Sequence, residues 1–351
     1  MAKKKKRKQK QNLKKTESDI IKKYGENSVY RIGSNKRLNI PALSTGIYTL
    51  DRAIGIGGYP RGRMIELHGA ESSAKTTIAL KSIASCQAEG GIAVFIDAEH
   101  ALDVTYAKRI GVDLDRLLIC QPDSGEQALD ITESFVLSGE VNLIVVDSVA
   151  GLVPEAELRG EMDKESIGLQ ARMLGRALRK LIGAVSKSET IIIFINQLRD
   201  KIGSYFGGQS TPGGRGLKHA CSVRIKLRFK EKVKGIGTKF LGTIVKNKVA
   251  APYSEFSFYV DTNFRKSKGI IDWIDKIDAG IDSELITKRG SILTYRKKKF
   301  KGMKTFRKQI LKDKKKHDAF IKRLKKALKE ETWLNFTLYF WFRLGFHYLL
   351  V

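Results

Sequence analysis

Four short runs of the chain are apolar nearly throughout instead of at every second position: MIELH at 64–68, IAVFID at 92–97, VNLIVVD at 141–147 and TIIIFINQ at 190–197. A strand with one wet face alternates; a strand buried on both faces does not. These runs therefore belong inside a sheet covered on each side. Between them lie stretches of helical spacing, from near Ile78 to about Glu89, from about Gly125 to Leu137 and from about Ile167 to Ser186. Strand and helix in that order predict an α/β fold with a mostly parallel sheet core. After Gly216 the period becomes two in SVRIKLRF, KFLGTIVKN and EFSFYV, which predicts antiparallel strands added to the same sheet. Residues 269–330 read as a separate small α+β unit ending in an amphipathic helix, with Phe320, Leu324, Ala327 and Leu328 on one face.

The first of the four runs leads into GAESSAKTT, residues 69–77, and then into a helix. The spacing is that of a phosphate-binding loop with Ala74 where the pattern has glycine. Backbone N–H groups from Gly69, Ala70, Glu71, Ser72, Ser73 and Ala74 at a helix start would hold phosphates. Lys75 would reach the β/γ oxygens, the Thr76 hydroxyl would ligate Mg²⁺, and Thr77 closes the motif. Two more strand ends carry acids. Asp147 ends LIVVD, where a carboxylate can complete a Mg²⁺ site, and Glu99 follows IAVFIDA, where one can polarise a water. Any of these alone also fits an ordinary strand-to-helix turn, a helix cap or a solvated loop; together they point to a hydrolytic nucleotide site.

Charge sets the partners. The net charge of +29 is concentrated at the ends: residues 2–15 hold nine cations and no acid, and residues 296–329 hold 17 cations against Asp313 and Asp318. Residues 16–295, with 39 basic and 33 acidic side chains, are near balance. Basic ends on such a core fit a polyanion, most simply nucleic acid, and fit equally a solvated lysine-rich tail. Cys86, Cys120 and Cys221 are widely spaced with no CxxC pair, which argues against a disulfide framework or zinc site and for a reducing compartment. No apolar segment follows the N-terminal charges, so no secretory signal is expected. At 333–351, WLNFTLYFWFRLGFHYLLV, 14 of 19 residues are apolar, close to a spanning length; Arg343, Gly345 and His347 count against insertion. Burial against the protein, or an altered reading frame, accounts for this stretch better than membrane contact does.

STGIYTLDRAIGIGGYPRGRMIELHGAESSAKTT, FIDAEHALDVTYAKRIGVDLDRLLICQPDSGEQALDI, IVVDSVAGLVPEAE, IFINQLRDKIG and VKNKVAAP together resemble the bacterial RecA recombinases, over roughly residues 17–328. The resemblance implies a RecA-type ATPase fold and a DNA-dependent ATPase that polymerises on single-stranded DNA with ATP and Mg²⁺ at the subunit interface. Such a protein pairs that strand with homologous duplex and exchanges strands in recombinational repair. It also implies promotion of self-cleavage by a stress-response repressor and a cytoplasmic location.

By the same match Glu99 is the catalytic carboxylate and Asp147 the Walker B acid. Tyr106, beside Asp103, would stack on adenine. Gln197 would sense the γ-phosphate, and Lys246 and Lys248 would reach the neighbour's ATP. DNA-binding loops correspond to about 158–168 and 198–214, with Ile167, Arg172, Arg179, Arg199, Ile202, Gly213 and Gly214 as contacts. The implied organisation is a basic disordered tail at 1–16, a polymerisation segment at 17–40, the ATPase core at 41–268, a small C-terminal domain at 269–330 in which RKKKFKGMK could gather duplex DNA, and the apolar tail at 331–351.

Three positions depart from the family pattern. Ala74 replaces glycine; if the loop needs left-handed backbone there, the Cβ costs on the order of 1–2 kcal/mol and nucleotide binding is expected to weaken. His219 and Ala220, in LKHACS, stand where two aromatics are usual and put cooperative assembly in doubt. The usual acidic ending is missing. An alternative to the recombinase is therefore an ATPase-weak protein that coats single-stranded DNA as a filament. A ring helicase is disfavoured by the Tyr106 segment and the N-terminal docking region.

Overall fold

The computed structural model describes residues 2–25, 28–29, 40–160, 168–200, 209–261 and 269–343, the side chains of 2–10, 199–200, 209–210 and 329–343 excepted. The chain divides into two compact units, residues 1–40 and 41–351.

In the first unit one helix, α1 (Ala2–Tyr24), runs without a break. Residues 2–16, expected as a disordered tail, are helical. No glycine or proline interrupts them, and Ala, Lys, Arg, Gln and Leu all favour helix enough to offset the repulsion between like charges. The helix stops at Gly25, whose φ of 92° a residue with a Cβ would resist.

The second unit begins with β1 (Ala42–Leu43), α2 (Tyr48–Ile54) and β2 (Tyr59–Pro60). The core then follows as β3 (Met64–Gly69), α3 (Lys75–Ala88), β4 (Ala93–Asp97), α4 (Val104–Ile110), β5 (Leu117–Cys120), α5 (Gly125–Ser138) and β6 (Leu143–Asp147). It continues through the short α6 (Glu155–Leu158), α7 (Leu169–Ser188), β7 (Ile191–Gln197), the two-residue strands β8 (Arg199–Asp200) and β9 (Gln209–Ser210), and α8 (Gly214–Ala220). The long strands β10 (Val223–Val233) and β11 (Gly237–Asn247), with β12 (Glu255–Val260), complete it.

The main sheet has eight strands in the order β12-β11-β10-β3-β7-β6-β4-β5. From β10 to β5 all neighbours are parallel, so β10 (SVRIKLRF), expected to be antiparallel, joins β3 parallel and only β11 and β12 join antiparallel; the period of two reports one wet face, not strand direction. The central strands are buried along almost their whole length, every residue of β3 and β4 included. On one face Val94, Ile96, Ile144, Val146, Ile192 and Phe194 pack under α5, α7 and α8 through Leu129, Leu174, Leu178, Leu181 and Leu217. Each fully buried aliphatic of this kind contributes about 1.5–3 kcal/mol relative to exposure. The edge strand β5, which the sequence reading passed over, pairs with β4 alone and leaves Leu118 and Ile119 exposed.

The C-terminal part, α9 (Asp272–Asp282), β13 (Thr287–Arg289), β14 (Ile292–Tyr295), β15 (Lys298–Lys301), α10 (Gly302–Phe306), a π-helical turn (Arg307–Leu311) and α11 (Lys314–Arg343), has a core of its own. Tyr295, Phe300, Phe306 and Phe320 meet there edge to face. Phe320, Leu324 and Leu328 are buried as read from the sequence, with Ala327 half-buried. The helix that carries them runs on to Arg343, into the apolar stretch.

This part is stapled to the start of the unit. Buried Asp275 accepts from the Tyr48 and Thr49 amides at 2.7 and 3.1 Å and from the Thr49 hydroxyl at 2.7 Å. It caps α2, whose own N-cap residue Ile47 offers no side-chain acceptor. Lys81 adds an ion pair to Asp272 at 3.0 Å. Among the described residues no helix is long and apolar enough to cross a membrane.

Candidate active site

The register brings the carboxyl ends of β3 and β7 level with each other, and those of β4 and β6 level with each other two residues short of them. Gly69 lies opposite Gln197, and Asp97 opposite Asp147. Ligands of open parallel sheets bind beyond these ends, and the loop 69–76 turns over them into α3. Its backbone visits the left-handed region at Ser72 (φ 55°) and at Ala74 (φ 66°, ψ 27°). The condition attached to Ala74 is thus met: a Cβ sits where the backbone is left-handed. At Gly69 a Cβ would come within 2.4 Å of the Leu227 carbonyl oxygen and 2.5 Å of Ser73 Oγ, so only glycine fits.

Within this frame the predicted side chains converge. Thr76 donates from Oγ1 to Asp147 Oδ2 at 2.9 Å. Lys75 is 8% exposed and donates from Nζ to the Gly69 and Ala70 carbonyls at 3.2 and 2.7 Å. Burial lowers its pKa, against the pull of Asp147, Glu99 and Glu71. Burial pushes Asp147 up to about 6, further raised by Glu99 and Asp97 and held back by the Thr76 hydrogen bond and Lys75. Glu99, exposed, accepts from Ser148 Oγ and, at 3.3 Å, from Gln197 Nε2. Asp103 caps α4 by accepting from the Tyr106 amide at 2.9 Å, and the Tyr106 hydroxyl lies 2.8 Å from Thr77 Oγ1, which fixes the ring beside the loop. Burial also raises the Tyr106 pKa.

These residues fit a magnesium triphosphate. The donor set is hard oxygen and ammonium, Ser73 Oγ is buried in the loop with no partner, and the cradle excludes a Cβ at Gly69. Among the described residues no group of three or more His, Cys, Asp or Glu could hold a metal unaided.

The remaining predicted residues lie elsewhere. Lys246 donates to the carbonyls of Lys218 and His219 at 2.5 and 3.1 Å, and Lys248 to His219 at 3.3 Å, so both ammonium groups sit on the C-terminal end of α8. Burial and the charge of Lys248 lower the Lys246 pKa. His219 is exposed. Arg172 and Arg179 are exposed on α7, as is Arg176 between them, which the sequence reading missed although its spacing of four and three puts it on the same face. Gly213 and Gly214 both have positive φ, 86° and 67°, and start α8. Ile167 and Ile202 lie outside the described residues, as does the side chain of Arg199 in β8.

A buried polar trio also escaped the sequence reading. Glu66 of β3, fully buried, accepts from Arg224 of β10 and from Asn196 Nδ2 at 2.9 Å. Asn196 donates in addition to the Pro212 carbonyl at 3.1 Å. The strand that ends in the phosphate loop is thereby tied to the stem of the loop at 198–214. Polar residues inside otherwise apolar strands, MIELH and IFINQ, were the available signal.

Comparison with known proteins shows the family of the chain. Residues 11–269 match the family model for the RecA N-terminal domain. The chain is 51% identical over 284 residues to a Protein RecA of Clostridium novyi (strain NT), covering 79% of this chain and 80% of that one. It is 46% identical over 318 residues to the Protein RecA of Listeria ivanovii, 89% of each chain, and 47% identical over 301 residues to that of Clostridium tetani (strain Massachusetts / E88), 84% and 85% of the two chains.

Proposed function

The chain belongs to the RecA family, and from that premise we propose that the cluster around Lys75, Thr76, Glu99, Asp147 and Gln197 is its ATP site. The protein is a DNA-dependent ATPase and recombinase that forms filaments on single-stranded DNA, pairs it with homologous duplex and exchanges strands in DNA repair. The observation that supports the assignment of the site best is the pair of contacts Thr76–Asp147 and Gln197–Glu99 on neighbouring strand ends.

When bound, magnesium and ATP supply the metal charge and the phosphoanhydride to be broken. The amides of residues 70–76 bind phosphate oxygens, and Lys75, its charge disfavoured by burial, gains most from an anionic partner. Thr76 and Asp147 would hold the metal, which would supply positive charge to the phosphate oxygens. Glu99, oriented by Ser148 and Gln197, positions a water and takes its proton. Tyr106 offers its ring to the base. Lys246 and Lys248 are presented at the end of α8, as cations for the site of a neighbouring copy.

DNA is held by the two loops at 158–168 and 198–214. Arg172, Arg176 and Arg179 line up along α7 to track a backbone, and Gly213 and Gly214 allow close approach of amides. Filament growth uses the segment at 17–40. The acceptor on the next copy is the exposed β5 edge with the groove of about 870 Å³ beside it, rimmed by Asp123, Glu126, Asp130 and Glu155 and complementary to the lysines of α1. Promotion of repressor self-cleavage and a cytoplasmic location complete the proposal. A filament protein without turnover is not favoured, because Lys75, Thr76, Glu99 and Asp147 are all present and assembled.

Strand exchange between a circular single strand and homologous linear duplex tests the assignment. Joint molecules should require ATP and be lost in Lys75→Ala. ATP-independent pairing, or equal yields from the variant, would remove the site from the reaction.

A further inference from the structure

Away from the phosphate loop, a cleft of about 280 Å³ opens between α9, the π-helical turn and the start of α11. Lys276, Arg307, Lys312 and His317 line it, with Trp273 at its wall. The Arg307 guanidinium is stacked over the Trp273 ring, 4.8 Å from its centroid. A stacked guanidinium is held in plane and presents its N–H edge sideways. Lys276 Nζ donates to His317 Nε2 at 3.3 Å, which fixes the ammonium at the cleft and leaves its other N–H groups for the same space. The acid lining the cleft, Asp272, is already engaged by Lys81 at 3.0 Å, and Asp313 is engaged by Lys316 at 2.8 Å. Among the described residues Lys276, Arg307 and Lys312 have no carboxylate within 4 Å; His317 faces Asp318 at 3.4 Å.

Three cations around one small concavity, Lys276, Arg307 and Lys312, repel one another, and an anion between them removes that cost. The volume lies below the span typical of pockets that enclose a whole drug-sized ligand, about 300–1,000 Å³. It suits a single phosphate group with part of its ester. The basic hairpin around Lys297–Lys299 is a different feature: it joins β14 to β15 and contributes nothing to this lining.

We propose that the cleft formed by Trp273, Lys276, Arg307, Lys312 and His317 is a binding site for a phosphate group, separate from the nucleotide site. Two sources share that chemistry, a backbone phosphate of nucleic acid and a free phosphate monoester.

The test uses the full-length protein and two paired variants, Lys276→Gln with Arg307→Gln, and Lys312→Gln with His317→Gln. The second leaves the Trp273–Arg307 stack in place should the first fail to fold. Lys314→Gln with Lys315→Gln, two exposed lysines outside the cleft, is the control. Binding of a 15-base-pair duplex is followed by fluorescence anisotropy over a salt series, and inorganic phosphate binding by calorimetry. If the ligand is nucleic acid, the cleft variants bind duplex at least fivefold more weakly, the first pair flattens the log–log salt slope by about 2, and the control changes less than twofold. If it is a free phosphate compound, duplex binding is unchanged and one saturable phosphate site disappears in the cleft variants. ATP turnover stimulated by single-stranded DNA stays unchanged in each case, which separates this site from the one around Lys75. An equal loss in the control, or wild-type behaviour of both cleft variants toward both ligands, overturns the proposal.

Discussion

Gln197 donates from Nε2 to Glu99 Oε1 across 3.3 Å, so the residue that ends β7 holds the carboxylate that follows β4. One side chain thus touches the carboxylate proposed to take the proton of water and also begins the segment leading to the loop at 198–214. Glu99→Gln should lower ATP turnover on the order of 10²–10⁴-fold, the usual loss for a general base, while nucleotide still binds. Gln197→Ala should keep nucleotide binding and lose the gain in single-strand affinity that ATP confers. Paired titrations of fluorescent oligonucleotide with and without ATP decide it, and an undiminished ATP effect in Gln197→Ala would detach this side chain from the coupling.

Ala74 carries a left-handed backbone with a Cβ, at a cost on the order of 1–2 kcal/mol. Ala74→Gly removes it and gives back part through the greater freedom of glycine in the unfolded chain. A net gain of about 1 kcal/mol in unfolding free energy is expected from this balance. Urea denaturation of the two proteins measures it; coincident midpoints would mean that the loop bears no strain.

His68, buried at the end of β3 with Nδ1 lacking a partner, has its pKa pushed down to about 4 from 6.5 by burial, with Arg224, Lys226 and Lys218 adding to the effect and Glu66 opposing it. The unfolded chain takes up the proton near 6.5 and the folded protein only near 4, so acidification through that window favours unfolding. The contribution reaches roughly 3 kcal/mol at the acid end and vanishes above pH 7. His68→Gln should be less acid-labile than the wild type, the difference in stability growing as pH falls from 7 to 4. A constant difference across that range would rule the titration out.

The β5 edge leaves Leu118 and Ile119 about 45% and 43% exposed, with one side of the strand unpaired. Placing a charge there should block addition of another copy without touching the fold. Ile119→Lys is expected to run as a small species in light scattering with ATP and DNA present, its melting temperature within a few degrees of wild type. Filaments of wild-type length from this variant would exclude the edge as the contact.

Much of this molecule was legible before its coordinates. Continuous apolar runs gave the central parallel strands because burial on both faces leaves few polar positions, while the period of two marked strands with one wet face and so found β11 and β12 but misjudged the direction of β10. Lys75, Thr76, Glu99 and Asp147 could be read because each sits within a few residues of a strand end. β5 could not: LLIC is four residues long with two of them exposed, too short for a period. The Glu66–Asn196–Arg224 trio was hidden for another reason, since its members are 130 and 158 residues from Glu66 and only strand order brings them together. The helical start of the chain was missed because a dense positive run with one apolar residue past Ala2 was read as a solvated tail, and such a run carries no amphipathic period to show a helix.

Asp275 caps a helix that begins 227 residues before it. Shortening the gene ahead of residue 269 would therefore strip α2 of its acceptor and leave the Tyr48 and Thr49 amides without it, at a cost of about 1–3 kcal/mol for an amide that stays buried, while the Thr49 hydroxyl keeps the Ser257 carbonyl. A deletion phenotype mapped to the C-terminal part would report on the folding of residues 42–54 as much as on any DNA that part captures. Point replacements on its surface separate the two effects; truncation merges them.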